Sequence, residues 1–383
     1  MFGYYSAADV QLPVRRRFLQ QTGLGFGSVA LASLLHEESR GQDGGVASGI
    51  PSAVPVDPLA LRPPHFPGRV RSIIWLFMTG GPSQVDTWDY KPELQARDGQ
   101  ELSGADPKTG FFTTSGKCLA SPFKWQQHGE SGTWVSDLFP RLSRHVDHMC
   151  FLHSMHLRQN NHAPASIELM CGTNRPGLPA LGAWMTWGLG SQNSNLPSCV
   201  VMHDTRPRGD DQIWSAGFLP KTYQAMALDA RRNEAIDNLQ RDSRRSELQQ
   251  RAQLDLLREL NQEYAVGRPT QGDLAARINS FELAYRMQMA APEALNLQAE
   301  TKETHSLYGL DQPECATFGR QCLLARRLVE RGVRFVQIFA GKGVGGDGSV
   351  NDVPWDCHSD VQTNHRSCGL HTDQPAAALL SDL

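Results

Sequence analysis

The sequence predicts an α/β protein, and apolar runs separated by helical segments lead to that prediction. Apolar runs typical of buried strands occur at Ile73–Met78 and Pro197–Met202, a further strand is predicted at Val333–Phe339, and each is followed by a turn or a polar loop. Segments with helical periodicity lie between them, for example Leu178–Leu189 and Glu314–Arg331. A run without polar alternation is typical of a strand covered on both faces. We therefore expect a parallel sheet with helices packed against it.

Composition and charge restrict the class of protein. The chain has 383 residues, of which 40% are hydrophobic and 20% are charged, as in globular rather than disordered proteins. The formal net charge of −3 gives no reason to expect nucleic acid or an anionic membrane as a partner. No run reaches the roughly 18 apolar residues that a transmembrane helix needs. We therefore expect no transmembrane segment.

The first 68 residues have the pattern of an export leader and a spacer. Arg15–Leu19 (RRRFL) precede a mildly apolar run, Thr22–Leu35, as in bacterial twin-arginine signal peptides. Residues 36–68 are rich in proline and glycine, which predicts a flexible spacer. We predict a signal peptide at 1–35, recognition by the twin-arginine export machinery and a periplasmic or extracellular location. The alternative interpretation is a basic start to an amphipathic helix.

The remaining chain, residues 69–383, is predicted as one α/β domain with a helical insertion at 222–305. Ala225–Ala265 contains many Arg, Glu, Gln and Leu and no proline, and Asp273–Ala290 is amphipathic. A coiled-coil dimer arm is the alternative interpretation of this insertion. Three further predictions concern a helix at Trp134–Arg144, a strand at Met149–His153, and a final helix that begins at Asp373.

Polar side chains follow the carboxyl end of the first predicted strand. In open α/β sheets, ligands bind at the carboxyl ends of the strands. Ser83 and Asp86 come directly after the turn Thr79–Pro82, whose glycines let the backbone approach a ligand. Further along, five histidines lie between His145 and His162. Imidazole binds transition metals and transfers protons near neutral pH. A single histidine is more often a surface or core residue, but we expect the group to contribute to a site.

The last polar segment contains a carboxylate and an imidazole at the spacing of metal ligands. Asp356 and His358 lie two residues apart on a predicted loop and can reach one ion from the same side. The alternative is a polar loop with incidental histidines. Arg206 follows the strand predicted at Pro197–Met202 and is either an anion clamp or a solvated charge. The eight cysteines form no CxxC pair, and Cys357 with Cys368 is the nearest plausible disulfide.

Several of these segments together resemble an exported bacterial family called domain of unknown function fifteen-oh-one. The likeness covers about residues 12–383 and consists of the leader and three segments in the family's order, FMTGGPSQVDTWDYKPEL, NNHAPASIELMCGTNRPGLPALGAWMTWGLG, and WDCHSD followed by HTDQPAAALLSDL. That family belongs by fold to the alkaline-phosphatase and sulfatase superfamily. The resemblance implies a three-layer α/β/α sandwich with a metal site at the carboxyl ends of the strands. It also implies hydrolysis of phosphate or sulfate esters, or a related transfer.

The chain departs from the family and superfamily patterns in two places. Sulfatases take their modified nucleophile from a Cys-x-Pro-Ser-Arg motif, whereas the comparable place here, His162–Ser166, contains no cysteine. A sulfatase mechanism of the usual kind is therefore not expected. Family members also continue past the final helix with a Gly-Glu-Phe-Gly-Arg segment and a later Asp-His pair. Neither follows here, so we expect a C-terminally truncated copy, a misassembled reading frame or a degenerate member.

These observations combine into a hypothesis of a divalent-metal centre that acts on small phosphate or sulfate esters, or on a sulfated or phosphorylated glycan. Zinc is the expected ion, with calcium or magnesium as alternatives. The candidate residues are Asp86, His162, Asp356 and His358 as metal ligands, Ser83 and His162 as catalytic groups, and Arg206 as an anion clamp. One rival hypothesis is a truncated, non-catalytic exported protein that binds a glycan. Another is a structural surface protein assembled through residues 222–305.

Overall fold

The computed structural model describes residues 57–101, 116–203, 207–230, 232, 235–236, 239–241, 244–265, 272–340 and 355–383, apart from the side chains of 265 and 272–277. The predicted signal peptide at 1–35, most of the predicted spacer, and Arg206 lie outside these residues.

A parallel sheet forms the centre of the fold. The strands, in chain order, are β1 Ile73–Met78, β2 Trp125–His128, β3 Thr133–Ser136, β4 Cys199–His203, β5 Met226–Leu228 and β6 Phe335–Ala340. Four of them form one sheet in the order β1-β6-β4-β5, and every neighbouring pair is parallel. The carboxyl ends of these four strands therefore meet at one edge of the sheet. β2 and β3 form a separate antiparallel pair.

Helices connect the strands and pack against the sheet. They are α1 Gln84–Thr87, α2 Pro92–Ala96, α3 His162–Cys171, α4 Leu181–Leu189, α5 Glu247–Ala265, α6 Gly272–Ala294, α7 Lys302–Leu307, α8 Ala316–Glu330 and α9 Val361–Asp382. Short 3-10 helices occur at Leu142–His148, Asp210–Trp214, Lys221–Tyr223 and Leu297–Ala299. The α/β class predicted from the sequence is confirmed.

Alternate side chains of the central strands fill two separate cores. Val200 of β4 and Val336 of β6 belong to a core that also contains buried residues of α6, α8 and α9. Val201 and Phe335 point the other way, into a core with Met170 of α3 and neighbouring residues of α4. Successive residues of a strand face opposite sides of the sheet, so an apolar run places apolar side chains on both faces. The sheet thus has helices on both faces.

Strand β1 occupies the end of the described sheet. Each of its six residues is only partly buried, whereas every residue of β6 is buried. The continuous apolar run at Ile73–Met78 correctly predicted a strand that is covered on both faces, since Ile74 and Leu76 pack against one core and Ile73, Trp75 and Phe77 against the other, but none of its residues is fully buried. An apolar run indicates a strand, but it does not indicate whether that strand lies in the middle or at the edge of the sheet.

Two local predictions in the segment before α3 were wrong. Trp134 lies in β3 rather than in a helix, because the Thr133–Val135 side chains are β-branched or aromatic and the strand pairs with β2. The helical turn comes later, at Leu142–His148. Met149–His153 is not a strand; Phe151 instead packs its ring on Trp88, at a centroid distance of 5.4 Å.

The final helix begins twelve residues earlier than predicted, at Val361 instead of Asp373. Asp360 caps its start, since its carboxylate accepts a hydrogen bond from Thr363 N–H. The helix continues through Pro375, which has no N–H to donate. Burial of the adjacent Ala376 and Leu379 in the core with α8 outweighs this loss. Polar and histidine-rich composition concealed the helix in the sequence.

The range 222–305, predicted as a helical insertion, begins with a strand before its helices. β5 pairs with β4 and extends the sheet. α6 places Met287, Ala291 and Ala294 in the core beside the sheet, and Arg251 of α5 forms an ion pair with Glu282 of α6. These helices are therefore attached to the sheet through α6.

Helix α4 packs closely on the sheet at a glycine, and this contact yields a test. A methyl group on Gly182 would collide with Cys199 Sγ and approach a ring carbon of Phe335 at 3.0 Å. We expect Gly182→Ala to lower the free energy of unfolding by about 1–3 kcal/mol, as for overpacked cores. Gly188→Ala is the matched control on the same helix, because a methyl group there meets nothing within 4 Å. The control should be neutral or stabilising by about 0.4–1 kcal/mol. Urea denaturation of both variants measures the difference, and equal stabilities would contradict the close packing.

Candidate functional site

The turn after β1 forms the floor of the candidate site. Gly80 and Gly81 have φ angles of 107° and 73°, which favour glycine because it has no Cβ. Trp355 N–H donates a hydrogen bond of 3.1 Å to the Thr79 carbonyl. This bond ties the segment that begins at Trp355 to the end of β1. Because β1 and β6 are parallel neighbours, both segments lie at the carboxyl edge of the sheet.

Two histidines contact one carboxylate at this edge. His162 Nε2 lies 2.9 Å from Asp356 Oδ2, and His358 Nε2 lies 2.7 Å from Asp356 Oδ1. His162 is the first residue of α3, and the preceding Asn161 accepts a hydrogen bond from Ala163 N–H as the helix cap. The exposed side-chain fractions are 38% for His162, 25% for Asp356 and 70% for His358. A solute in the surrounding water can therefore reach this His-Asp-His cluster.

The hydrogen bonds define which ring nitrogen is directed outward. An ionised carboxylate only accepts hydrogen bonds, so the His162 ring donates Nε2–H to Asp356, whereas His358 contacts the same carboxylate at a short distance. The Nδ1 atom of a neutral ring then carries the lone pair. Asp356 thus orients the His162 ring and leaves its Nδ1 atom as the position that can take up a proton.

A second group of polar side chains lies beside the first. His365, on α9, accepts a hydrogen bond of 3.2 Å from Ser83 N–H at Nε2, and its Nδ1 lies 3.2 Å from Cys357 Sγ. Since Nε2 accepts, the neutral ring carries its proton on Nδ1 and donates it to the sulfur. His365 therefore links the turn after β1 to the segment that carries Asp356. In this arrangement His365 cannot serve as a base for Cys357.

Burial determines the protonation of this second group. Desolvation lowers the pKa of His365, while the nearby charge of Asp86 raises it by a smaller amount. Burial, aided by the charge of Asp356, raises the pKa of Cys357 to about 11. Near neutral pH the imidazole is therefore uncharged and the sulfur is a thiol, which is a poor nucleophile. This group holds the site together and does not provide a reactive sulfur.

The predicted site residues are brought together only in part. His162, Asp356 and His358 are in contact, while Asp86 is buried in α1 on the His365 side. Within the described part of the chain, Ser83 Oγ makes no hydrogen bond to an imidazole or a carboxylate, so its role as a nucleophile stays a prediction. Arg206 lies outside the described residues. No disulfide joins Cys357 and Cys368.

Sequence reasoning assigned no role to His365, which was placed in a polar loop. A helical pattern was nevertheless present, because His365, Cys368, Thr372, Ala376 and Leu379 recur at intervals of three or four residues. These residues are all buried in α9. Recognition of that pattern would have moved the start of the helix and directed His365 inward.

The donor atoms of the cluster suit a metal ion in type but not in arrangement. Two imidazoles and a carboxylate are common ligands of zinc. Here, however, the two rings contact opposite oxygens of Asp356. Among the residues that the structure describes, no group of three or more His, Cys, Asp or Glu is arranged to hold a metal ion. The metal site therefore stays a prediction, and in the described arrangement His162 is hydrogen-bonded to Asp356 while His358 contacts its other oxygen.

Two cavities flank β1. One of about 370 Å³ adjoins the cluster and is lined by residues 75–82 together with Leu157, His162, Ala165, Ser166, Leu169 and Arg208. The other, of about 730 Å³, lies between β1 and the helices α8 and α9. The lining of the larger cavity includes none of the predicted site residues. We therefore associate the smaller cavity with the site.

The fold and the cluster define an α/β protein with a His-Asp-His group at the carboxyl ends of parallel strands. Residues 70–383 match the family described as "Protein of unknown function (DUF1501)", and the chain belongs to that family. Neither the curated proteins nor the solved structures contain a match. No helix among the described residues is long and apolar enough to cross a membrane.

The protonation of His365 gives a prediction about pH. Its pKa is lowered from 6.5 in the folded chain, so the unfolded chain binds more protons at mildly acidic pH. The free energy of unfolding should therefore fall as the pH decreases below about 6.5. His365→Gln retains an acceptor for Ser83 N–H but gains no proton, and we expect it to lose less stability between pH 7.5 and pH 5. Denaturation curves at both pH values, with His65→Gln at an exposed position as the control, measure this. An equal loss in His365→Gln and wild type would contradict the assignment.

Proposed function

We propose that the chain is an exported hydrolase of phosphate or sulfate esters. The observation that supports this most directly is the contact of His162 and His358 with Asp356 at the carboxyl edge of a parallel sheet. A carboxylate that orients an imidazole recurs in hydrolytic sites. Under this proposal the described sheet forms part of a three-layer sandwich of the alkaline-phosphatase and sulfatase type. Export by the twin-arginine route is part of the same proposal.

The proposed reaction uses His162 as the base. Nδ1 of His162 accepts a proton from a water molecule, whose oxygen forms a bond to the phosphorus or sulfur atom. The bond from that atom to the alcohol oxygen breaks, and the alcohol oxygen takes a proton from the solvent. Asp356 stabilises the imidazolium that forms in the first step. An oriented general base of this kind contributes about 10²–10⁴-fold to a rate.

A divalent cation remains part of the proposal, and none of the steps above depends on it. Zinc, or else calcium or magnesium, would take ligands from Asp86, His162, Asp356 and His358. When bound, such an ion polarises the ester oxygens and activates water. The described arrangement of the donors does not supply three converging ligands. Metal content is therefore a separate measurement from hydrolysis.

A non-catalytic exported binding protein of the same fold is the second candidate. The observation that favours it is the absence, within the described residues, of both a three-ligand metal group and a hydrogen bond from Ser83 Oγ to a base. A protein of this kind would retain an anion or a glycan without breaking it down.

Substitution of Asp356 distinguishes the two candidates. Asp356→Asn preserves the shape of the side chain and removes the charge that faces both rings and orients His162. We expect it to lower kcat for p-nitrophenyl phosphate or p-nitrophenyl sulfate by about 10²–10⁴-fold. His65→Ala, at an exposed histidine remote in sequence from the cluster, should leave kcat unchanged.

The same assays with the full chain test the metal. Zinc, calcium and magnesium are measured by mass spectrometry of the purified protein, and hydrolysis is measured with and without a chelator. A bound metal that His358→Ala reduces would support a metal-dependent enzyme. No metal above background, together with unchanged activity of His358→Ala, would remove the metal from the proposal. A wild-type chain with no hydrolysis in the presence of each ion would favour the binding protein.

A further inference from the structure

The cavity beside His162 is largely apolar, with polar residues among its lining. Its apolar lining includes Phe77, Leu157 and Leu169, while His162 and Arg208 contribute polar groups. Its volume of about 370 Å³ is at the small end of the range for small-molecule sites, roughly 300–1,000 Å³. It is therefore suited to a compact ligand that has both an apolar and a charged part.

The lining also includes Thr79, at the end of β1. Thr79 is 3% exposed, and its Oγ1 has no hydrogen-bond partner within the described part of the chain. A buried hydroxyl without a partner is unfavourable, because it has lost its hydrogen bonds to water. The oxygen itself has almost no accessible surface, so it lies behind the cavity wall and does not face a ligand. Thr79 and His162 line the same cavity, so one ligand can lie against both.

The geometry points to the substrate class, and this inference rests on the proposed function. We infer that the ester carries a compact apolar alcohol group, such as an aryl group, and that this group occupies the cavity. The phosphate or sulfate then lies toward His162 and Arg208. A sugar in the same place would bury hydroxyls against Leu157 and Leu169 without partners, which strongly disfavours binding. The inference selects apolar esters over the glycan esters that the sequence left open.

Equilibrium binding tests the inference without requiring turnover. Phenyl phosphate, phenyl sulfate, glucose 6-phosphate and inorganic phosphate are titrated into the full chain by calorimetry, with hydrolysis monitored separately. At least one phenyl ester should bind about tenfold or more tightly than glucose 6-phosphate. Equal affinities, or no binding of either phenyl ester, would overturn the inference.

Two alanines of α3 provide a matched pair of variants. Ala165 lines the cavity, whereas Ala163 does not, and both are half-buried. Ala165→Trp should fill the cavity and weaken phenyl ester binding by about tenfold or more, while Ala163→Trp should leave it unchanged. If Ala165→Trp does not fold, Leu169→Ala replaces it. The enlarged cavity should then shift preference from phenyl toward naphthyl phosphate, and unchanged preference would overturn the inference.

Failure of the inference and failure of the proposed function give different results. Binding of phenyl esters in the cavity without hydrolysis would support the inference and contradict the hydrolase. Hydrolysis of glucose 6-phosphate and phenyl phosphate at equal rates, with both unaffected by Ala165→Trp, would support the hydrolase and overturn the inference.

Discussion

The parallel pairing of β1 with β6 is the constraint on which the site depends. Six residue pairs, from Ile73 opposite Phe335 to Met78 opposite Ala340, bring the two carboxyl ends level with each other. The turn after β1 and the segment from Trp355 onward consequently emerge at the same edge. The hydrogen bond from Trp355 N–H to the Thr79 carbonyl joins them directly. A shift in this register would separate Asp356 from the end of β1.

Two groups of polar side chains lie near the paired strand ends, and they differ in their exposure to water. His162, Asp356 and His358 are partly exposed, so the contacts between them are screened by water and contribute little to stability. Under the proposed function, this exposure lets the three side chains meet a solute from the surrounding water. His365, below them, is buried and contacts the turn after β1. The inner histidine fixes the position of the loop on which the outer carboxylate lies.

The strands and helices with strong local signals could be predicted from the sequence. β1, β6 and α8 follow from apolar periodicity, and the end of α3 follows from Gly172, which has a φ of 77°. The edge position of β1 could not be predicted, because strand order is determined by contacts between distant segments. The convergence of His162 with Asp356 was predicted only through the rule that ligands bind at the carboxyl ends of strands. The contact of His365 with Ser83 could not be predicted, because the two residues lie 282 positions apart in the sequence.

The position of β1 has a consequence for the edge of the described sheet. Natural sheets protect their outermost strands with lysine, proline or bulges, because bare main-chain amides and carbonyls recruit other extended chains. The sequence IIWLFM contains no charge and no proline, and in the described sheet it has β6 as its one neighbour. Within the described sheet, the outer edge of β1 therefore presents main-chain amides and carbonyls that a further strand can pair with, and such pairing is not screened by salt.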